Sequence, residues 1–256
     1  MFGPVAIDLY VVHNSHPCAA VERALELKGL EYRKIELPPP LHAPIQRVVF
    51  GARTVPAVRL DGGERLSGSR AILKRLEELA PDPPLWPGDA THRAVVERAE
   101  EWADEVWQRI ARRLLWGTLR RCPDALVSYS EGSRIPVPAP ALRAGAPLIV
   151  RAEIALNRAS DGAVRADLRN LPRHLERIDR WLAEGVLTTG DGTPNAADLQ
   201  IATTSRLLMT IGDVAPFFAG RPAERHAREL FGDPSGSTPR GVLPADWLAG
   251  SPPRQR

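Results

Sequence analysis

The chain has 256 residues, 43% of them hydrophobic, and a formal net charge of +3. No stretch approaches the ~20 consecutive apolar residues of a bilayer-crossing helix. Its 34 basic and 31 acidic residues are interspersed, as in Glu97–Arg98–Ala99–Glu100–Glu101, which describes solvated helix faces and not a nucleic-acid surface.

Two cysteines, Cys18 and Cys122, lie too far apart in sequence for a disulfide framework or a cysteine zinc site. The six histidines are dispersed, and no metal site is expected. Arginine outnumbers lysine 31 to three beside 25 prolines, a bias that fits a GC-rich bacterial genome.

Residues 5–12 (VAIDLYVV) suit a buried strand that begins the fold in place of a secretory signal, so a cytoplasmic location is expected. Pro17 fits the first turn of a helix, Val21, Ala24 and Leu25 follow at helical spacing, and Gly29 ends it. Residues 31–37 alternate as a second strand that stops at Pro38–Pro39–Pro40, completing a βαβ unit. A short helix is expected around Pro44–Phe50. Val55–Leu60 reads as a strand entered through Pro56, Asp61–Glu64 as a turn and Arg65–Ser67 as its partner strand. Ser69 then caps a helix with Ile72, Leu73, Leu76 and Leu79 on one face.

The proline-rich stretch Pro81–Gly88 divides the chain into residues 1–80, a linker at 81–89 and residues 90–256. Beyond it the pattern is helical: 90–121, then 148–159, 165–184 and 196–211, with a proline-rich irregular segment at 123–147 and an extended tail at the end. The fold class is therefore α/β plus all-α.

Three local features carry chemistry. Ser15–His16–Pro17–Cys18 sits between the first strand and helix, where a dithiol redox site has two cysteines. Serine in the outer position removes disulfide chemistry. Ser15 reads either as an N-cap or as a hydroxyl that, with the helix N-terminus, stabilises a bound thiolate. Thr54–Val55–Pro56 enters a strand through a proline, whose isomer the local sequence leaves open; a cis bond would turn the preceding backbone groups outward. Gly68–Ser69 opens a helix, a position for a cap and equally for a ligand carboxylate.

In this order and spacing, SHPC with AVERALELKGLEYRKIEL, then TVPAVRLDGGERLSGSRAILKRLEEL, resembles the N-terminal domain of soluble glutathione transferases over residues 5–80. TPNAAD followed by LQIATTSRLL resembles that family's buried helix, with Asn195 as cap and Asp198 as its reciprocal partner. The resemblance implies a thioredoxin-like domain followed by a helical bundle, with glutathione as co-substrate and a homodimer. Pro56 is then cis, Val55 pairs with the cysteinyl backbone of glutathione, and Ser69 with Gly68 holds its γ-glutamyl carboxylate. Thr54, Arg53 or His42 meets the glycyl end, and Ser15 takes the place of the serine-type hydroxyl, with Cys18 a helical turn further in. Gly68 stands where the family usually carries Glu or Gln.

The expected activity is conjugation of a low-molecular-weight thiol to a hydrophobic electrophile, the thiol being glutathione by the resemblance, with another small thiol of a GC-rich bacterium as the alternative. Thiol exchange through Cys18 and a non-catalytic protein of the same fold are the alternatives. Trp102, Trp107 and Trp116 on the long helix read as core or interface, with some facing the second-substrate pocket.

Overall fold

A computed structural model of the chain describes residues 6–248 apart from 40, 136, 189 and 191. Val5 and Pro40, which close the expected strand boundaries, lie outside the described residues.

The first half-domain runs β1 (Ile7–Val11), α1 (His16–Leu27), β2 (Tyr32–Glu36), α2 (His42–Phe50), β3 (Ala57–Arg59), β4 (Arg65–Ser67) and α3 (Ser69–Leu79). The sheet order is β2-β1-β3-β4; β1 and β2 are parallel, while β3 is antiparallel to both β1 and β4. This is a thioredoxin-like sheet.

Strand alternation decides which face does what. Ile7, Leu9 and Val11 are buried with Val21, Ala24 and Leu25 of α1 and Ile72, Leu73 and Leu76 of α3. Asp8 and Tyr10 point the opposite way. Asp8 accepts from Arg33 at 2.8 Å and Arg59 at 2.6 Å on the neighbouring strands, and the Tyr10 ring meets Phe50 of α2 edge-on at 5.0 Å. The helices α1 and α3 therefore share one face of the sheet, and α2 covers part of the other.

The linker is anchored, not slack. The buried Lys28 ammonium at the end of α1 donates to Glu77 at 2.7 Å and to the Pro83 carbonyl at 3.0 Å. Glu77 also accepts from the Leu85 amide, and the Leu85 carbonyl accepts from Ala196 of the second domain at 2.9 Å. Leu85 and Trp86 are buried.

The helical domain comprises α4 (Ala90–Trp102), one π turn (Ala103–Trp107), α5 (Gln108–Leu119), α6 (Ala139–Asn157), α7 (Asp161–Ala183), α8 (Ala196–Met209) and α9 (Pro222–Phe231). The π turn lets residues five apart share a face. Trp102 and Trp107 stack at 5.6 Å as a result, and the Trp107 indole donates to Ser205 of α8 at 3.2 Å. The central helix is α8, buried along nearly its whole length and fixed by its predicted capping box: the Asn195 side chain accepts from Ala197 and Asp198, and Asp198 accepts from the Asn195 amide at 2.7 Å.

Two expectations change, and a third gains detail. α6 begins at Ala139, nine residues before the predicted helix at 148, because Pro140 falls in its first turn, where no amide partner is lost. α9 was hidden because its inward face is Ala223, His226 and Ala227, small or polar residues that leave little apolar periodicity. The tail is extended as expected but held down: Asp213 accepts from the amides of Gly241, Val242 and Leu243, and Thr238 pairs with Thr210.

Candidate functional site

Ser15 occupies the N-cap of α1 with extended backbone (φ −73, ψ 116), and its side chain makes no capping bond. The hydroxyl is thus spared the commonest use of serine at this position. It lines a cavity of about 150 Å³ together with His16, Lys34, Arg206, Thr210 and Ser235. Pro17 in the first turn contributes no amide, so the anion-stabilising groups at this helix start are the remaining amides and the Ser15 hydroxyl.

Cys18, one turn inward, is 1% exposed. Burial pushes its thiol up to about 12, with the Ser15 side chain the largest contribution in the opposite direction. Such a thiol is neutral at pH 7 and walled in by the core, which withdraws geometric support from it as a nucleophile. Cys122 is also free and half-buried, its Sγ directed at the Thr118 carbonyl at 3.4 Å.

At the same end of the sheet as Ser15, where Ala57 pairs with Tyr10 of β1 and with Ser67 of β4, Thr54, Val55, Pro56, Ser67 and Gly68 come together. The Val55–Pro56 bond is cis, in line with the resemblance. Gly68 donates its amide to the Pro56 carbonyl at 2.9 Å, and Ser67 donates its hydroxyl to the Thr54 carbonyl at 3.4 Å. Among the described residues, nothing hydrogen-bonds the backbone of Val55, which leaves an edge for an extended peptide.

Gly68, not Ser69, takes the N-cap of α3, with φ 92 and ψ 135. That left-handed backbone costs glycine nothing and explains the residue here. Ser69 is the first helical residue and only 2% exposed. Its hydroxyl is engaged across the domain boundary, donating to Gln200 Oε1 at 3.1 Å and accepting from Gln200 Nε2 at 3.0 Å; Gln108 Nε2 donates to the same Gln200 Oε1 at 2.7 Å. The predicted cap is corrected on this point: the side chain turns inward to the second domain. Sequence reading missed both glutamines, although Gln200, an amide on a helix buried on all sides, was the available signal.

Beside Gly68 lies an open concavity of about 420 Å³, lined by Ser67, Gly68, Arg70, Ala71, Lys74 and Asp104. It carries both signs of charge. Arg70 donates to Glu100 at 2.7 Å and to Glu101 at 3.1 Å. Burial, opposed by Arg70, pushes the Glu100 carboxyl up to about 7, and burial also raises Asp104. This concavity and the one at Ser15 share no lining residue. His42 begins α2 and is buried, and among the described residues its Nδ1 has no hydrogen-bond partner, while Arg53 is exposed. Among the described residues no cluster of His, Cys, Asp or Glu is arranged to hold a metal, and no helix is long and apolar enough to cross a membrane.

Residues 9–84 match the family model described as the glutathione S-transferase N-terminal domain. No curated protein matches the chain by sequence. Among solved structures, a glutathione S-transferase from Rhodospirillum rubrum is 21% identical, with 88% of this chain and 85% of that one covered at a TM-score of 0.55. Maleylacetoacetate isomerase from Anaeromyxobacter dehalogenans, solved with dicarboxyethyl glutathione and citrate, is 23% identical over 89% and 87% at 0.55. A glutathione S-transferase from Methylobacterium radiotolerans in complex with glutathione sulfonate is 21% identical over 98% and 96% at 0.54. The chain therefore carries a glutathione S-transferase-type N-terminal domain within a glutathione transferase fold that extends over both its parts.

Proposed function

We propose that the protein binds glutathione and conjugates it to a hydrophobic electrophile, with Ser15 stabilising the thiolate. The observation that carries this reading is the uncapped Ser15 hydroxyl at the start of α1, opening on a cavity, on the same sheet as the unpaired Val55 backbone. The mixed charge of the concavity at Gly68 suits an amino-acid terminus with its ammonium and carboxylate, Arg70 and Lys74 facing the carboxylate and Asp104 the ammonium. The solved structures holding glutathione derivatives support the same ligand.

In this reading Thr54, Val55 and Pro56 hold the peptide backbone, and Gly68 and Ser69 present the N-terminus of α3, Ser69 through its amide. The thiol releases its proton to solvent, the thiolate sulfur bonds the electrophilic carbon, and the leaving group departs as an anion. Lowering the thiol pKa and orienting the sulfur beside the electrophile are the two catalytic contributions. Residues 1–80 serve as the thiol-binding domain, 81–89 as linker and 90–256 as the helical domain, in a cytoplasmic homodimer with a detoxifying role.

Retention on immobilised glutathione together with turnover of a chloronitrobenzene tests the proposal. Ser15→Ala is expected to lower turnover at neutral pH by about tenfold or more while the fold persists. One observation favours a second reading, a binding protein without turnover: the Ser69 hydroxyl is committed to Gln200 and sealed from solvent. Glutathione retention with no turnover of several electrophiles would select it.

A further inference from the structure

The residue before Ser15 is held in an uncommon way. Asn14 has φ 56, one of two non-glycine residues in the left-handed region among those described. It occupies the third position of a turn closed by the Ser15 amide donating to the Val12 carbonyl at 3.1 Å. Glycine would adopt that backbone without strain, and asparagine is among the few other residues that tolerate it. What asparagine adds is its carboxamide, and both ends of it are taken. Nδ2 donates to the Tyr129 carbonyl at 2.8 Å, and Oδ1 accepts from the Ser235 hydroxyl at 2.9 Å.

Those two partners lie in the proline-rich 123–147 segment and in the tail, and each is fixed in turn. The Tyr129 hydroxyl bonds that of Thr210, the residue that follows α8, at 2.8 Å. Gly236 packs so closely on the Tyr129 ring that a Cβ there would lie 2.6 Å from Cδ1, so this approach demands glycine. Ser128 and Ser237 tie the same two segments together, with the Ser237 amide donating to Ser128 Oγ at 2.9 Å. His13, next in the turn, bonds the Glu131 carbonyl through Nε2 at 2.8 Å. Segment, tail and turn thus close a ring of contacts around the residue that precedes the hydroxyl.

We infer that Asn14 is a positioning residue for Ser15, and that residues 128–131 and 235–237 belong to the thiol site by holding Asn14 and its turn. The hydroxyl direction follows from the backbone of residues 14 and 15, so a turn locked from two distant segments presents it in one direction. The inference rests on the reading of Ser15 as the thiolate partner.

The test follows the ionisation of bound glutathione through the ultraviolet absorbance of its thiolate as pH is varied, in the whole protein and in Asn14→Gly and Ser235→Ala. Glycine keeps the left-handed backbone and deletes both bonds; Ser235→Ala removes one bond on the surface and leaves the fold intact. The expected result is a rise of about one pH unit in the bound thiol's midpoint for Asn14→Gly and a smaller rise for Ser235→Ala. Affinity for S-methylglutathione, which has no thiol to ionise, should stay within about twofold. An unchanged midpoint in both variants overturns the inference and leaves the proposed function standing. A parent protein that binds no glutathione overturns both.

Discussion

Ser69 of the first domain and Gln200 of the second exchange hydrogen bonds of 3.0 and 3.1 Å inside the interface, and Gln108 completes the group from α5. A leucine at position 200 would leave the buried Ser69 hydroxyl and Gln108 amide with only their own long 3.5 Å contact. Each such group costs about 1–3 kcal/mol. Gln200→Leu is therefore expected to lower the free energy of unfolding by a few kcal/mol in a urea titration. A midpoint equal to that of the parent would show that the network is dispensable.

Cys18 and Cys122 should differ in reactivity. The Cys18 thiol is core-buried and pushed up to about 12, while Cys122 is half-buried. Native protein treated with iodoacetamide near pH 8 is expected to carry label on Cys122 and none on Cys18, with both labelled after denaturation, as read by peptide mass spectrometry. Because the folded value lies above the ordinary 9.0, stability should also fall as pH rises through the window between about 9 and 12. Rapid native labelling of Cys18 would restore it as a candidate nucleophile.

Glu100 gives a second pH dependence. Its carboxyl is raised from 4.5 to about 7, so between those values the folded protein holds a proton that the unfolded chain has released. Stability must then decline as pH rises from about 4.5 through about 7. Glu100→Gln, which still offers Arg70 an acceptor, should match the parent at the acid end and exceed it by on the order of 1–3 kcal/mol at pH 8. Parallel stability curves for the two proteins would contradict the burial-driven shift.

Asp198 is fully buried and serves three partners: the Asn195 amide at 2.7 Å, the Thr188 amide at 2.9 Å and His226 Nε2 at 2.8 Å. Asp198→Ala strands all of them at the start of the central helix. A loss of about 3–5 kcal/mol is expected, seen as a large drop in melting temperature. A small drop would mean that α8 is set by packing alone.

Much of this was legible beforehand because short-range chemistry decided it. The βαβ–ββα order, the strand Arg65–Ser67 and the Asn195–Asp198 box follow from alternation, turn residues and cap spacing. What was hidden depends on partners far away in sequence. Ser69 reads as a cap until Gln200, 131 residues on, claims its hydroxyl. Asn14 reads as a turn residue until Tyr129 and Ser235 arrive at its carboxamide. Helix α9 escaped because its buried face is alanine and histidine. At the site, the motif around Ser15 was visible, but that Cys18 lies sealed beneath it depended on how α1 packs.

Calorimetric titration with glutathione, repeated in buffers of different ionisation enthalpy, bears most directly on a cradle that binds the peptide and ionises its sulfur. An analogue carrying a methyl group in place of the thiol serves as the comparison. Both peptides should bind at neutral pH, and only glutathione should release protons to the buffer, with Ser15→Ala reducing that release. Absence of heat from either peptide at millimolar concentration, or equal proton release from both, would contradict the account.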